Sequence, residues 1–251
     1  MLDKITPTIL TFNEESNLHR TLRALTWASE VIVVDSFSTD KTMDICAQYP
    51  NVKFIQHAFT SHSEQSNFAL SQVTKTPWVL SMDADYIVTP ELKEELKELN
   101  GFSEIDGYQI NFQYMIRGKL LKGSLYPART CLYRKEKAHY IQDGHTQRVK
   151  VDGQVEELKS ALLHDDRKPY SRWFKAQKNY AKKEAEKMAQ SSWKELSLAD
   201  RIRFLGLAPL IIIPYTLLFK GVILNGLIGL EYTFQRFTAE VFLIKARLFK
   251  K

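Results

Sequence analysis

Two rhythms of apolar residues alternate along the first hundred positions. Strand-length apolar stretches occupy residues 5–12, 31–34, 52–55 and 78–82, with Pro7 tolerable near a strand start or edge. Between them apolar residues recur at helical spacing. Leu18, Leu22 and Leu25 mark a helix predicted over 13–27, and residues 35–40 form a loop entering a helix that runs through Tyr49. A third helix is predicted over 63–73. A fourth opens on Thr89 as N-cap with Pro90 in its first position and Leu92, Leu96 and Leu99 behind. Strands alternating with helices predict an α/β domain with a mainly parallel sheet, because a parallel pair needs a crossover.

The pattern then changes twice. Residues 108–112 and 130–133 read as strands, and residues 149–155 as a hairpin turning at Asp152-Gly153, so antiparallel additions to the sheet are expected. From Tyr170 the chain reads as helical. Phe174, Ala181, Ala185 and Met188 form one stripe, and Leu230, Phe234, Phe237, Val241, Ile244 and Leu248 form another. Residues 204–219 carry no charge, but Pro209 and Pro214 interrupt them and the run is shorter than the roughly 20 residues a spanning helix needs. The expected division is a catalytic domain over 1–165 and a helical region over 166–251.

Charge sharpens that division. The chain holds 35 Lys+Arg and 29 Asp+Glu in 251 residues; residues 166–251 contain 17 of the former and 7 of the latter, leaving 18 and 22 in residues 1–165. A basic region interleaved with broad aliphatic surface suits an anionic membrane surface better than nucleic acid. With 44% hydrophobic and 25% charged residues the composition is globular rather than disordered. Two cysteines, Cys46 and Cys131, lack the number for a disulfide framework and the spacing for a metal site. With no secretory leader pattern at Met1-Leu2-Asp3-Lys4, a cytoplasmic chain is expected, peripheral on the inner face of the cell membrane.

The candidate chemistry sits where the predicted strands end. Thr11, Asn13 and Glu14 follow the first strand, Asp35 ends the second, and Asp83 and Asp85 leave the fourth, all at the edge where open α/β sheets bind ligands. Two carboxylates separated only by Ala84 can hold Mg²⁺ or Mn²⁺, hard cations that keep positions open for substrate phosphates. Asn13 and Asp35 also suit helix caps. Neither a G-x-G-x-x-G nor a Walker lysine is present, so a metal rather than backbone amides is the candidate to neutralise a diphosphate. Arg129, Arg134 and Arg167 are candidates for phosphate contact.

The order Thr-Phe-Asn-Glu-Glu at 11–15, Val-Ile-Val-Val-Asp-Ser-Phe-Ser-Thr-Asp-Lys-Thr at 31–42 and Met-Asp-Ala-Asp at 82–85 resembles the family 2 inverting glycosyltransferases of GT-A fold. Gln65 to Leu70, Tyr126-Pro127-Ala128-Arg129 and Gly153 through His164 are similar to the bacterial branch that acts on lipopolysaccharide core and other lipid-linked glycans. The resemblance implies a Rossmann-like mixed sheet with helices on both faces, followed by amphipathic or hydrophobic C-terminal helices. It implies a nucleotide-sugar donor, UDP by default, and a lipid-linked glycan acceptor. Thr11, Asn13, Glu14, Asp35, Asn67, Asp83 and Arg129 would hold the donor, and Asp85, with Asp83 and His164, the cation. Asp143 would be the base, with His145 as alternative; relatives carry His-Glu where this chain has His145-Thr146. A nucleotidyltransferase and a non-catalytic nucleotide-sugar-binding protein are the rival readings.

Overall fold

The computed structural model describes residues 1–99, 104–143 and 146–249. The chain forms two compact units: residues 1–117 with 126–167, and residues 118–125 with 168–251. An excursion of the chain, 118–125, belongs with the C-terminal unit.

The first unit contains β1 (Ile5–Thr11), β2 (Val31–Asp35), β3 (Val52–Gln56), β4 (Trp78–Asp83), β5 (Tyr86–Val88) and β6 (Ile105–Ile116). A short β7 (Lys119–Leu120) lies in the excursion, and β8 (Arg129–Arg134), β9 (Ala138–Asp143), β10 (Thr146–Val151) and β11 (Gln154–His164) complete the strands. The sheet of the first unit runs β3-β2-β1-β4-β8-β6-β11-β5. β1 to β4 are mutually parallel, β8 enters antiparallel between β4 and β6, and β11 lies parallel to β6 and antiparallel to β5.

Burial on both faces explains the apolar runs. In β2, Val31 and Val33 join a core with Leu18, Leu22 and Leu92, while Ile32 and Val34 face a second core with Ala69, Leu70 and Tyr140. Helices α1 (Leu18–Arg23) and α4 (Pro90–Glu98) thus contribute to one side, and α3 (His62–Gln72) to the other; α2 is the short Thr42–Cys46. Thr89 caps α4 through Leu92 N–H at 3.1 Å, as its sequence predicts.

Three expectations need correction. Helix α1 starts later than predicted, because residues 13–14 bond to Ser38, Thr39 and Thr42 before it begins, and α2 ends at Cys46 rather than Tyr49. The hairpin is β9–β10, not a turn at Asp152-Gly153, since β11 pairs with β6 and β5 instead of β10. In β11 the register with β6 shifts between Glu157 and Ala161, and the Glu95 carboxylate of α4 accepts the Lys159 and Ser160 N–H groups at 2.9 and 2.8 Å. Burial works against the charged carboxylate, but these hydrogen bonds outweigh it and lower its pKa. The contribution is therefore complete above the ordinary value of 4.5 and lost as pH falls through the folded value. Glu95→Gln is expected to reduce stability by about 1 kcal/mol at pH 7 and to flatten that acid limb; urea titrations at pH 3 and pH 7 measure both.

The second unit is helical: α5 (Tyr170–Gln190), α6 (Leu198–Phe204), α7 (Ala208–Pro214) and α8 (Leu227–Leu248), with short 3-10 and π turns over 215–225. Ala181, Ala185 and Met188 of α5 pack on Leu243 of α8, bearing out the first stripe. The second stripe is turned differently. α8 buries Tyr232, Thr233, Gln235, Thr238 and Glu240, and leaves Leu230, Phe234 and Leu248 exposed. Its buried polar groups are paired: Glu240 with Arg203 at 3.1 Å, Thr233 with Thr216, and Gln235 with Tyr170. Segment 118–125 is joined to this unit by Lys122 N–H donating to Asn225 and Leu125 N–H donating to Tyr232. No helix among the described residues is long and apolar enough to cross a membrane.

Candidate active site

Strand register brings the predicted edge together. Thr11 is paired with Asp35, and Leu10 with Asp83, so the ends of β1, β2 and β4 lie side by side. Asp35 is fully buried and held by three donors: the Thr11 hydroxyl at 2.9 Å, the Ser38 N–H at 2.7 Å and the Ser38 hydroxyl. Asn13 adopts φ +56°, a region Asn tolerates, and its amide oxygen accepts the Thr39 N–H at 2.7 Å. Neither residue caps a helix; the N-cap positions of α1 and α2 are Asn17 and Lys41. The Glu14 N–H donates to Thr42, and its carboxylate accepts from Asn17 at 3.0 Å.

Asn67 has a structural task. Its amide oxygen accepts the Tyr140 N–H at 2.8 Å and its amide nitrogen donates to the Tyr140 carbonyl at 3.0 Å, fastening β9 to α3. Arg134 is also corrected as a phosphate contact. It pairs with Trp78, at the opposite end of β4 from Asp83, about 17 Å away at strand rise. There it meets Asp106 at 3.2 Å and lies over the Trp78 ring.

The two aspartates of the Asp-x-Asp part company at the β4–β5 turn. Asp83, half-exposed, faces Arg129 Nη1 at 3.8 Å. Asp85, nearly buried, places Oδ2 3.4 Å from His164 Nε2. His164 ends β11 and is paired with Tyr86 of β5 and Tyr114 of β6, which is what carries it to Asp85. The Asp165 N–H, one residue on, donates to the Asp85 carbonyl at 2.9 Å.

His164 sits among aromatic rings. Tyr126 stacks on it at 4.6 Å and 22°, Tyr114 lies at 4.6 Å, and Tyr86 stands edge-on at 5.5 Å. Its Nδ1 is buried without a hydrogen-bond partner among the described residues. Arg129 donates to the Tyr86 hydroxyl at 3.3 Å, lies over the Tyr126 ring, and Tyr86 and Tyr126 hydroxyls bond each other. Burial opposes the charge on Arg129, but Tyr86, Tyr126 and Asp83 outweigh it and raise its pKa, so the guanidinium stays charged. Burial first, then the Asp83 charge, pushes the Tyr86 and Tyr126 phenols up, so both remain neutral hydroxyls.

The donor chemistry fits a hard divalent cation. The Asp85 carboxylate and the His164 imidazole, 3.4 Å apart, would hold such an ion between them. Among the described residues no three His, Cys, Asp or Glu side chains converge, and Asp83 is turned to Arg129 rather than joining the pair. A carboxylate and an imidazole leave most positions for substrate oxygens and water, as Mg²⁺ and Mn²⁺ sites do. His145 lies outside the described residues. Asp143 is the last residue of β9.

A cleft of about 550 Å³ opens beside this centre, lined by Asp83, Tyr86, Arg129, Tyr140, Arg148 and Lys150 among others. Sequence reasoning did not reach Tyr86 and Tyr114, whose place beside His164 depends on pairing between distant strands. It also missed Asn17 and Arg20. Asn17 joins Glu14 to Asp166, and Arg20 meets Asp165 at 3.4 Å, so the loop after β1 is bound to the turn after β11. Arg167 is engaged there too, donating to Asp165 at 2.7 Å, which raises its pKa.

A glycosyltransferase from Rickettsia bellii is 33% identical over 143 residues, 55% of this chain and 48% of that protein. The lipopolysaccharide core biosynthesis glycosyltransferase LpsC of Rhizobium meliloti is 33% identical over 107 residues, 41% of this chain and 39% of that one. The chain spans about half the length of the curated relatives it matches. Among solved structures, the mannosyltransferase PcManGT of Pyrobaculum calidifontis with GDP-Man and Mn²⁺ has a TM-score of 0.55 at 16% identity, covering 99% of this chain and 88% of that one. S. aureus TarS 1-349 with UDP-GlcNAc has a TM-score of 0.52 at 18% identity, covering 97% and 81%. At those identities the likeness establishes the fold, the GT-A arrangement expected from the sequence. The model of the glycosyl transferase family 2 matches residues 8–139, more than half of the chain, and the protein belongs to that family.

Proposed function

We propose that this protein transfers a sugar from a nucleotide-diphosphate donor, UDP-linked by default, to a hydroxyl of a lipid-linked glycan in cell-envelope or lipopolysaccharide synthesis, inverting the anomeric centre. The observation that carries the reading is the Asp85–His164 pair beside Arg129 at the carboxyl edge of the sheet. A divalent cation bound at Asp85 and His164 would supply Lewis-acid compensation of charge on the leaving diphosphate. Arg129 presents a permanent cation to the same phosphates, steadied by Tyr86, Tyr126 and Asp83. The loops holding Thr11, Asn13, Glu14 and Asp35 form the wall against which the nucleoside lies.

The acceptor hydroxyl attacks the anomeric carbon from the face opposite the diphosphate. Its proton passes to a base, Asp143 or His145, the new C–O bond forms, and the nucleoside diphosphate leaves with the electron pair of the broken C–O bond. Complexes of relatives with UDP-GlcNAc and with GDP-Man and Mn²⁺ support this donor class. The test is a panel of nucleotide sugars with Mn²⁺ or Mg²⁺ and a lipid-extract acceptor. Metal-dependent release of nucleoside diphosphate is expected. Release of pyrophosphate would indicate nucleotidyl transfer instead, and binding without turnover a non-catalytic protein.

The helical unit serves as a membrane-surface anchor in this reading, at the inner face of the cell membrane. Leu210, Leu218, Phe219, Leu224 and Leu227 are exposed, Phe219 and Leu227 more than 80%, between lysine- and arginine-bearing helices. Apolar side chains with basic neighbours suit an anionic leaflet. Phe219→Glu with Leu227→Glu is expected to lower partition onto phosphatidylglycerol vesicles at least tenfold while leaving the circular dichroism spectrum unchanged. Equal partition of a folded double variant contradicts the anchor.

A further inference from the structure

Phe37 is placed where neither stability nor packing accounts for it. Its backbone has φ +58°, a left-handed conformation that glycine adopts freely and a bulky side chain resists. The surrounding loop imposes that conformation. Asp35 accepts from the Ser38 N–H and hydroxyl, the Asn13 N–H donates to Ser38 at 2.7 Å, and Asn13 accepts the Thr39 N–H. Those bonds would hold a glycine equally well. The ring does not repay the strain by burial, since Phe37 is 54% exposed. A strained residue held by its neighbours marks a position shaped for something other than folding.

Its location indicates what. Phe37 lies two residues beyond Asp35, at the end of β2, and the paired Thr11 of β1 is followed by Phe12, also 54% exposed. Two phenyl groups therefore leave adjacent strand ends at the ligand-binding edge. A flat apolar ring at such an edge is matched by a flat heterocycle, and stacking on a base is strong enough to set affinity. We infer that the Phe37 ring is a stacking contact for the donor's nucleobase, a further binding residue whose rigid left-handed backbone pre-aims it. The inference rests on the donor reading above.

The test is calorimetric titration of UDP and of GDP, each with Mn²⁺, into the full chain and three variants, alongside thermal melts. Phe37→Leu keeps a side chain on the strained backbone and removes the ring; it is expected to weaken the better-bound nucleotide about tenfold. Phe37→Tyr keeps the ring and is expected to bind within about threefold of the parent. Phe37→Gly is expected to raise the melting midpoint by about 2–4 °C, through relief of strain, while binding as weakly as the leucine variant. Parental affinity in the leucine and glycine variants, or a loss in the tyrosine variant equal to that in leucine, overturns the stacking role. A lowered midpoint for glycine overturns the strain premise. If the parent binds neither nucleotide, the donor reading itself fails and the inference falls with it.

Discussion

Asp85→Asn is expected to reduce sugar transfer about a thousandfold or more while leaving the fold unchanged. The substitution keeps size and hydrogen-bonding capacity but removes the negative charge that faces His164 Nε2 at 3.4 Å. Loss of a cation's compensation of diphosphate charge amounts to several kcal/mol, which is that factor in rate. The fold should survive because the link from this turn to the next segment uses the Asp85 carbonyl, which accepts the Asp165 N–H and is common to both side chains. Two readouts are needed. Initial rates across a Mn²⁺ series report function, and Mn²⁺ paramagnetic resonance in the presence of UDP reports binding independently of turnover. An active variant with the parental metal dependence would remove Asp85 from the site. His164→Ala should show the same binding defect in weaker form, since the charged Asp85 carboxylate remains to hold the cation.

The second large effect is expected at the base. Asp143→Asn should lower kcat by about 10²–10⁴, the usual worth of a positioned general base, with donor KM nearly unchanged. The split separates it from Asp85, whose loss should weaken donor and cation binding together. His145→Gln is the matched comparison. Should the aspartate variant retain its turnover and the histidine variant lose it, the proton goes to imidazole. The limb of the pH–rate profile then moves toward the histidine range. Loss in neither would direct attention to an acceptor group or another carboxylate.

The alternating strands and helices of residues 5–99 were legible because their signals are local. The apolar run of β2 is buried on both faces, and Thr89-Pro90 opens α4 through its own hydroxyl and ring. Helix lengths were less legible. Residues 13–17 run into the apolar stripe of α1 without a break, yet their polar groups bond to the loop after β2, through Asn13 to Thr39 and Glu14 to Thr42, a competition that periodicity does not record. The α8 stripe misled for a related reason. Apolar spacing identified a helix but not its inward face, which is set by paired polar groups such as Glu240 with Arg203.

Sequence alone determined the family, the parallel half of the sheet and the strand ends that carry Thr11, Asp35, Asp83 and Asp85, since all follow from short-range period, capping and motif order. Only the tertiary structure decided which of those groups act together. The separation of Asp83 toward Arg129 from Asp85 toward His164, and the tyrosines around that histidine, arise from β11 pairing with β5 and β6 and β8 inserting beside β4. Such pairings join residues dozens of positions apart, and a shift of one residue in register would send each of these side chains to the other face of the sheet.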